Sequence, residues 1–171
     1  MQFTRIRLEN WRNFLSVDVP LENRVFLVGP NAAGKSNFLD AIRFLRDVAD
    51  AQGGLQRAIS TTRRGVSQIR SLHARRYPVV AIEVEVQLAD GKPWSYRLEF
   101  TQDNQRRPVL KRERVTHDEE VLLDRPNKQD NADPELLTQT HLEQVNTNRK
   151  FRELAEFFAK VRYLHLVPQL V

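Results

Sequence analysis

Residues 25–50 read VFLVGPNAAGKSNFLDAIRFLRDVAD: an apolar run, a glycine-bounded corner and a stretch of helical period. Val25-Phe26-Leu27-Val28 contains no polar residue, the pattern of a strand buried on both faces in a sheet interior. Gly29-Pro30-Asn31 then turns the chain. From Lys35 to about Asp50, Phe38, Leu39, Ile42, Leu45, Val48 and Ala49 recur at three- and four-residue steps, with Arg43, Arg46 and Asp47 opposite. That spacing predicts an amphipathic helix. Residues 29–36, Gly-Pro-Asn-Ala-Ala-Gly-Lys-Ser, fit GxxxxGK[ST], a match this composition would give by chance about once in two thousand chains. Strand, glycine loop and helix start together make a phosphate cradle. The loop turns backbone N–H groups inward, and the new helix adds the positive end of its dipole. Gly29 and Gly34 allow the bend and the close approach. Lys35 sets a point charge on β- and γ-phosphates, and the Ser36 hydroxyl suits Mg²⁺. A simple glycine-terminated strand-to-helix turn is the alternative.

Outward from this stretch, residues 2–8 alternate apolar and polar as a half-buried strand does, and Leu15 to Val19 alternate again after a turn at residues 9–14. Val79 to Leu88 has a clear period of two. Trp94 to Phe100, Val109 to Val115 and Val121 to Leu123 follow so closely that an antiparallel meander is expected. Asp133-Pro134-Glu135 predicts a helix start, with helix to about Lys160 interrupted near Asn146. Val161 to Val167 reads as a last strand. Ending so soon after it, the chain is expected to be a piece of a longer one.

The chain has 171 residues, 40% of them hydrophobic, enough for one packed domain. Fourteen Pro plus Gly and 29% charged residues argue against disorder. There is no Cys, which excludes disulfides and thiolate metal sites. Neither a signal peptide nor a membrane-spanning stretch is visible, so a cytoplasmic location without membrane partners is expected. The net charge of +5 is concentrated: Arg57, Arg63, Arg64, Arg70, Arg75 and Arg76 lie between Ala51 and Pro78 without one acid. Arginine forks suit phosphates, so this segment is a candidate contact for DNA or another polyanion; a solvated surface loop is the alternative.

LENWRNF (8–14) followed by GPNAAGKSNFLDAIRFL (29–45) resembles the N-terminal lobe of the ABC-type ATPase heads of SMC and RecF-like proteins. It also resembles the related overcoming-lysogenization-defect and stand-alone AAA family ATPases of bacteria. In those families a turn x-N-F-R-x-F/Y follows the first strand, and GKSN-x-L-x-A-I opens the helix. Trp11 stands here where Phe is usual, and Ala32 where Gly is frequent. The resemblance is specific over residues 1–45 and looser over 79–125. It implies an α/β P-loop NTPase fold, with residues 1–171 as one partial lobe of mixed sheet, antiparallel meander and helices, and 52–78 as an Arg-rich insertion or loop. It implies ATP and Mg²⁺ as ligands, held by Arg12, Gly29, Asn31, Ala32, Ala33, Gly34, Lys35, Ser36 and Asn37, with Asp40 completing the pattern. Arg12 matches the family arginine that reaches toward nucleotide phosphate or nearby DNA, and Ser36 the Mg²⁺ ligand. Gln169 is placed like the Q-loop glutamine that senses Mg²⁺ and the attacking water; a polar corner residue is the alternative.

Such heads also need an apolar strand ending Asp-Glu and a Ser-Gly-Gly signature, and neither motif occurs in the sequence. Val121-Leu122-Leu123-Asp124 resembles the former, but Arg125 stands at the catalytic position and a hairpin strand fits better. The implied function is an ATPase lobe that hydrolyses ATP when two complete heads pair, in DNA-related or defence processes. Alternatives are a nucleotide-binding module without hydrolysis and a polyanion-binding protein. A P-loop kinase or GTPase is disfavoured by the meander and by the lack of Asn-Lys-x-Asp. His73, His117, His141 and His165 share no ligand spacing, so no metal site is expected of them. Glu83 and Glu85 read as solvent-face residues, and Trp11, Trp94 and Tyr96 as core.

Overall fold

The structure, a computed structural model, describes residues 1–50, 52–72, 74 and 78–164. Six strands form one sheet in the order β2-β1-β3-β4-β5-β6: β1 (Gln2–Trp11), β2 (Phe14–Pro20), β3 (Val80–Gln87), β4 (Pro93–Gln102), β5 (Pro108–His117) and β6 (Glu120–Arg125). Each of these pairings is antiparallel. The two-residue period sorts side chains to the two faces. Ile6, Val84, Tyr96 and Val115 make one buried cross-strand row, and Leu8, Ile82 and Leu98 the next. One position over, Arg7, Glu83 and Arg97 alternate in charge on the opposite face, with Glu83 accepting from Arg7 at 2.5 Å and from Arg97 at 2.8 Å. Glu85 pairs with Arg7 at 3.0 Å. These carboxylates are therefore solvent-face residues engaged in ion pairs, as the alternation implies.

The helix α1 (Lys35–Ala49) covers the apolar face with Phe38, Ala41, Phe44, Leu45 and Val48 buried. Its Phe44 ring stands 5.3 Å from Trp11 and 5.5 Å from Phe100. The helix Arg152–Ala159 joins the same core through Phe158, 5.6 Å from Tyr96 and 5.8 Å from Phe3. Full burial of such side chains stabilises by about 2 kcal/mol each. Trp11, Trp94 and Tyr96 are all core residues, as read from the sequence.

Four expectations are corrected. Val25 to Val28 does not form a buried strand: it takes part in no strand pairing, and Phe26 and Val28 are 79% and 92% exposed. A strand is buried on both faces only when neighbours flank it, and among the described residues the sheet ends at β2. Leu39, read as part of the helix's apolar stripe, is likewise exposed. The helical region expected from residue 133 to about 160, interrupted near Asn146, starts at Asp133-Pro134 as expected but is broken over more residues: 3-10 turns at Pro134–Thr138 and Asn148–Phe151 precede the helix Arg152–Ala159. The reason is a buried carboxylate: Glu113 accepts from the backbone N–H of His141 at 2.7 Å and of Leu142 at 3.0 Å, which turns those amides toward the sheet. Residues 161–164 form no strand, and the rest of that expected strand lies outside the described residues.

Residues 121–125 are a hairpin strand rather than an ATPase motif. Asp124 is exposed and pairs with Arg112 and Arg114, whereas Arg125 is buried against Glu113 and Asp130. The Arg-rich stretch is not a loop throughout. Short helical pieces at Gly54–Gln56, Arg57–Thr61 and Val66–Ile69 bury Leu55, Ala58, Ile59, Val66 and Ile69 in the common core.

Candidate functional site

The loop of residues 29–33 is exposed and feeds directly into α1. Gly34 precedes the helix at φ 101°, a left-handed conformation that favours glycine. A Cβ there would lie 2.5 Å from Asn13 Nδ2 and 2.8 Å from Phe14 Cζ, so the residue needs both the φ and the space. Ala32 takes φ 64° without glycine's freedom, a strain of about 1 kcal/mol. The first turn of α1 carries no acidic residue and no side-chain cap, leaving the positive end of the helix uncompensated. Lys35 folds back over the loop, its Nζ donating to the carbonyls of Gly29 and Pro30 at 2.7 Å each. The cation thus sits where an anion bound by the loop would meet it. Ser36 and Asn31 are exposed.

The turn between β1 and β2 is clamped against this loop. Trp11 Nε1 donates to the Asn37 carbonyl at 2.8 Å, and Asn37 Nδ2 donates to Asn13 Oδ1 at 2.8 Å. Arg12 adopts φ 54°; its N–H donates to the Ile69 carbonyl at 2.5 Å. Its Nη1 donates to the Gln68 carbonyl at 3.0 Å and its Nη2 to Asp40 Oδ2 at 2.9 Å. Asp40 also accepts from Arg63, at 2.7 Å on Oδ1 and 3.1 Å on Oδ2. Burial pushes the Asp40 carboxyl up, but the bonds and charges of Arg63 and Arg12 outweigh it and hold the group below the usual carboxylate range.

Two cavities flank Arg12. One of about 280 Å³ is lined by Arg12, Ser36, Asn37, Asp40, Arg43 and Tyr163. Another of about 430 Å³ runs from Arg12, Asn13 and Asn37 to Gln68, Arg70 and Leu72. Among the described residues no group of three His, Cys, Asp or Glu could hold a metal by itself. The donor set still suits Mg²⁺, which is ordinarily held by one or two protein oxygens plus phosphates and water; the exposed Ser36 Oγ is an oxygen that could serve.

The sequence matches the family described as "AAA domain, putative AbiEii toxin, Type IV TA system" over residues 24–166. The chain belongs to this AAA domain family. Among curated proteins, the AAA domain is 47% identical over 47 residues to Endonuclease GajA of Bacillus cereus (strain VD045), covering 28% of this chain and 8% of that protein. It is 29% identical over 87 residues to the DNA replication and repair protein RecF of Synechocystis, covering 50% and 23%. The RecF of Roseiflexus castenholzii is 40% identical over 60 residues, covering 34% and 15%. The chain thus spans less than a quarter of the length of these relatives. A solved structure of RecF with ATP superposes with a TM-score of 0.46 at 19% identity, over 71% of this chain and 28% of that one. These matches agree with the resemblance read from the motifs, and the family shown is the AAA domain family.

Of the expected site residues, Arg12, Ser36 and Asn37 line the cavities, Gly34 packs against Asn13 beside them, and Lys35 folds over the loop. Gln169, His73, His165, Arg75 and Arg76 lie outside the described residues. Arg63 is corrected as a polyanion contact: it is 4% exposed, with its donors on Asp40, Asp47 and the Ala58 carbonyl. Arg57 and Arg64 are exposed and Arg70 half-buried. His117 stacks on Trp94 at 4.0 Å beside Asp90, and burial, then Arg125, lowers the His141 pKa to about 4. Neither belongs to the site. No helix among the described residues is long and apolar enough to cross a membrane.

Proposed function

We propose that the AAA domain is the ATP-binding lobe of an ATPase that turns over when complete heads pair face to face. The observation that supports this best is the loop from Gly29 to Ser36, with Lys35 folded over it and an uncompensated helix start behind it. Backbone N–H groups of residues 31–36 bind the phosphates, Lys35 leaves the Gly29 and Pro30 carbonyls for the β- and γ-phosphates, and Ser36 orients the triphosphate through its hydroxyl. Ser36 would hold Mg²⁺, which when bound would supply neutralisation of phosphate charge. The cavity reaching Gln68 and Leu72 has room and polar edges for the nucleoside.

Positioned phosphates do not suffice for hydrolysis. The attacking water must be oriented and transition-state charge stabilised from outside the loop, and the described residues hold no free carboxylate beside Ser36. The 171-residue chain alone is therefore expected to bind ATP and release phosphate at a negligible rate. A phosphate-release assay tests this: robust turnover that disappears in Lys35→Ala would overturn the division of labour between this lobe and the remainder of a head. The relatives named for DNA replication and repair and for an endonuclease support a role on DNA, in repair or defence. The contact face would be Arg57, Arg64 and Arg70. Each phosphate contact releases counterions, so duplex affinity should fall steeply with salt and less steeply in Arg57→Ala/Arg64→Ala/Arg70→Ala. Equal affinity and equal salt slope in the two proteins would leave these arginines as a solvated face.

A further inference from the structure

Asp40 occupies a position that the phosphate-loop motif does not assign. It lies one helical turn beyond Ser36 on the same face of α1 and lines the same cavity. Its two carboxylate oxygens take three charge-assisted hydrogen bonds from two arginines on different parts of the fold. Arg12 comes from the β1–β2 turn beside the loop. Arg63 comes from the segment after α1 and is anchored a second time, two helical turns along, on Asp47 at 2.9 Å, with its guanidinium 5.0 Å above the Phe44 ring. Arg63 is thus a fixed post, and Asp40 is fixed by it. Arg12 is the more exposed of the two arginines. It is a quarter exposed at its side chain, and its Nε is buried without a partner among the described residues. Its Nη1 and Nη2 each donate one of their two N–H groups, so the guanidinium keeps donors for an incoming anion.

We propose that Asp40 is a positioning residue of the nucleotide site, which aims the Arg12 guanidinium at the phosphate-loop cavity and couples its occupancy to residues 62–72. The coupling is mechanical. Arg12 also holds the carbonyls of Gln68 and Ile69, and Ser71 donates to the Asn10 carbonyl at 2.8 Å, so the turn and the segment move together. A phosphate that draws Arg12 toward Ser36 must pull on Asp40 and on these carbonyls at once. This inference rests on nucleotide binding at Gly29–Asn37, and the test separates the two.

ATP affinity in the presence of Mg²⁺ is measured for the 171-residue chain, Asp40→Asn, Arg12→Ala, the double variant and Lys35→Ala. A hydrogen bond to a charged group corresponds to about tenfold or more in an equilibrium constant, so Asp40→Asn and Arg12→Ala should each weaken ATP about tenfold. Because Asp40 acts through Arg12, the double variant should be no weaker than Arg12→Ala alone, a non-additivity that general loosening of the fold would not produce. Asp40→Glu should recover part of the loss. Hydrogen exchange gives a second reading: ATP should slow amide exchange over residues 62–72 in the wild-type chain but not in Arg12→Lys, which keeps a cation there and leaves the Asp40–Arg63 pair intact. Wild-type affinity in Asp40→Asn, full additivity in the double variant, or equal ATP-dependent protection in Arg12→Lys would overturn the proposal. Unchanged affinity in Lys35→Ala would instead overturn the assignment of the nucleotide site itself.

Discussion

Replacing Arg63 by Met removes a buried cation while keeping most of the side-chain volume. In the wild-type fold its Nε and Nη2 serve Asp40, its Nη1 serves Asp47 and the Ala58 carbonyl, and the side chain is 2% exposed. Stripping one partner from a buried ion pair costs about 3–5 kcal/mol. Both carboxylates here keep a second arginine, Asp40 at 2.9 Å from Arg12 and Asp47 at 2.7 Å from Arg46, which brings the expectation to about 2–3 kcal/mol. For a chain of this length about 2–4 °C of melting temperature accompany each kcal/mol, so Arg63→Met should melt about 4–12 °C lower by circular dichroism at pH 7. The pH dependence has a definite sign. Asp40 in the wild type is held below its unfolded value of 3.8, so its contribution is present above that pH and lost as pH falls through the folded value. Without Arg63, burial acts on Asp40 with less opposition and its pKa rises, so the variant gains less stability on raising the pH. The gap between the two proteins should therefore be wide at pH 7 and shrink toward pH 3. A shift below about 1 °C at pH 7, or a gap that widens on acidification, would refute the reasoning.

Gly34→Ala places a methyl 2.5 Å from Asn13 Nδ2 at φ 101°; it should abolish ATP binding in titration and lower stability by about 1–3 kcal/mol in urea unfolding. Phe26→Ser should leave the melting temperature of this chain within about 1 °C, since the ring is 79% exposed. Leu45→Ala, at a fully buried position, should cost about 2–5 kcal/mol in the same denaturation experiment.

The six strands were legible as alternating or short apolar runs set off by turn residues, despite a register slip between Phe3 and Arg5, and α1 from its helical period, despite the exposed Leu39. The phosphate loop was legible because its residue types have few other uses. The parts that were not legible have long-range causes. Val25 to Val28 reads as an interior strand on composition alone, yet burial depends on neighbours that lie elsewhere in sequence, and the described residues supply none. The stretch 139–147 has helix-compatible residues, but Glu113, almost thirty positions away, takes the amides of His141 and Leu142. Arg63 was counted with its exposed neighbours because a basic run looks uniform in one dimension. One local signal could have singled it out: Asp40 and Asp47 are seven residues apart, two turns along one helix face, which leaves a pair of carboxylates in need of a shared cation.

The central claim is that the loop from Gly29 to Asn37 binds the triphosphate of ATP. Titration calorimetry of the 171-residue chain with ATP, ADP and adenosine, each with Mg²⁺, tests it most directly when repeated on Lys35→Ala. ATP should bind more tightly than ADP and adenosine far more weakly than either, and Lys35→Ala should lose the preference for ATP along with at least about tenfold in affinity. Equal affinity for ATP and adenosine, or a Lys35→Ala chain that binds ATP as the wild type does, would contradict it.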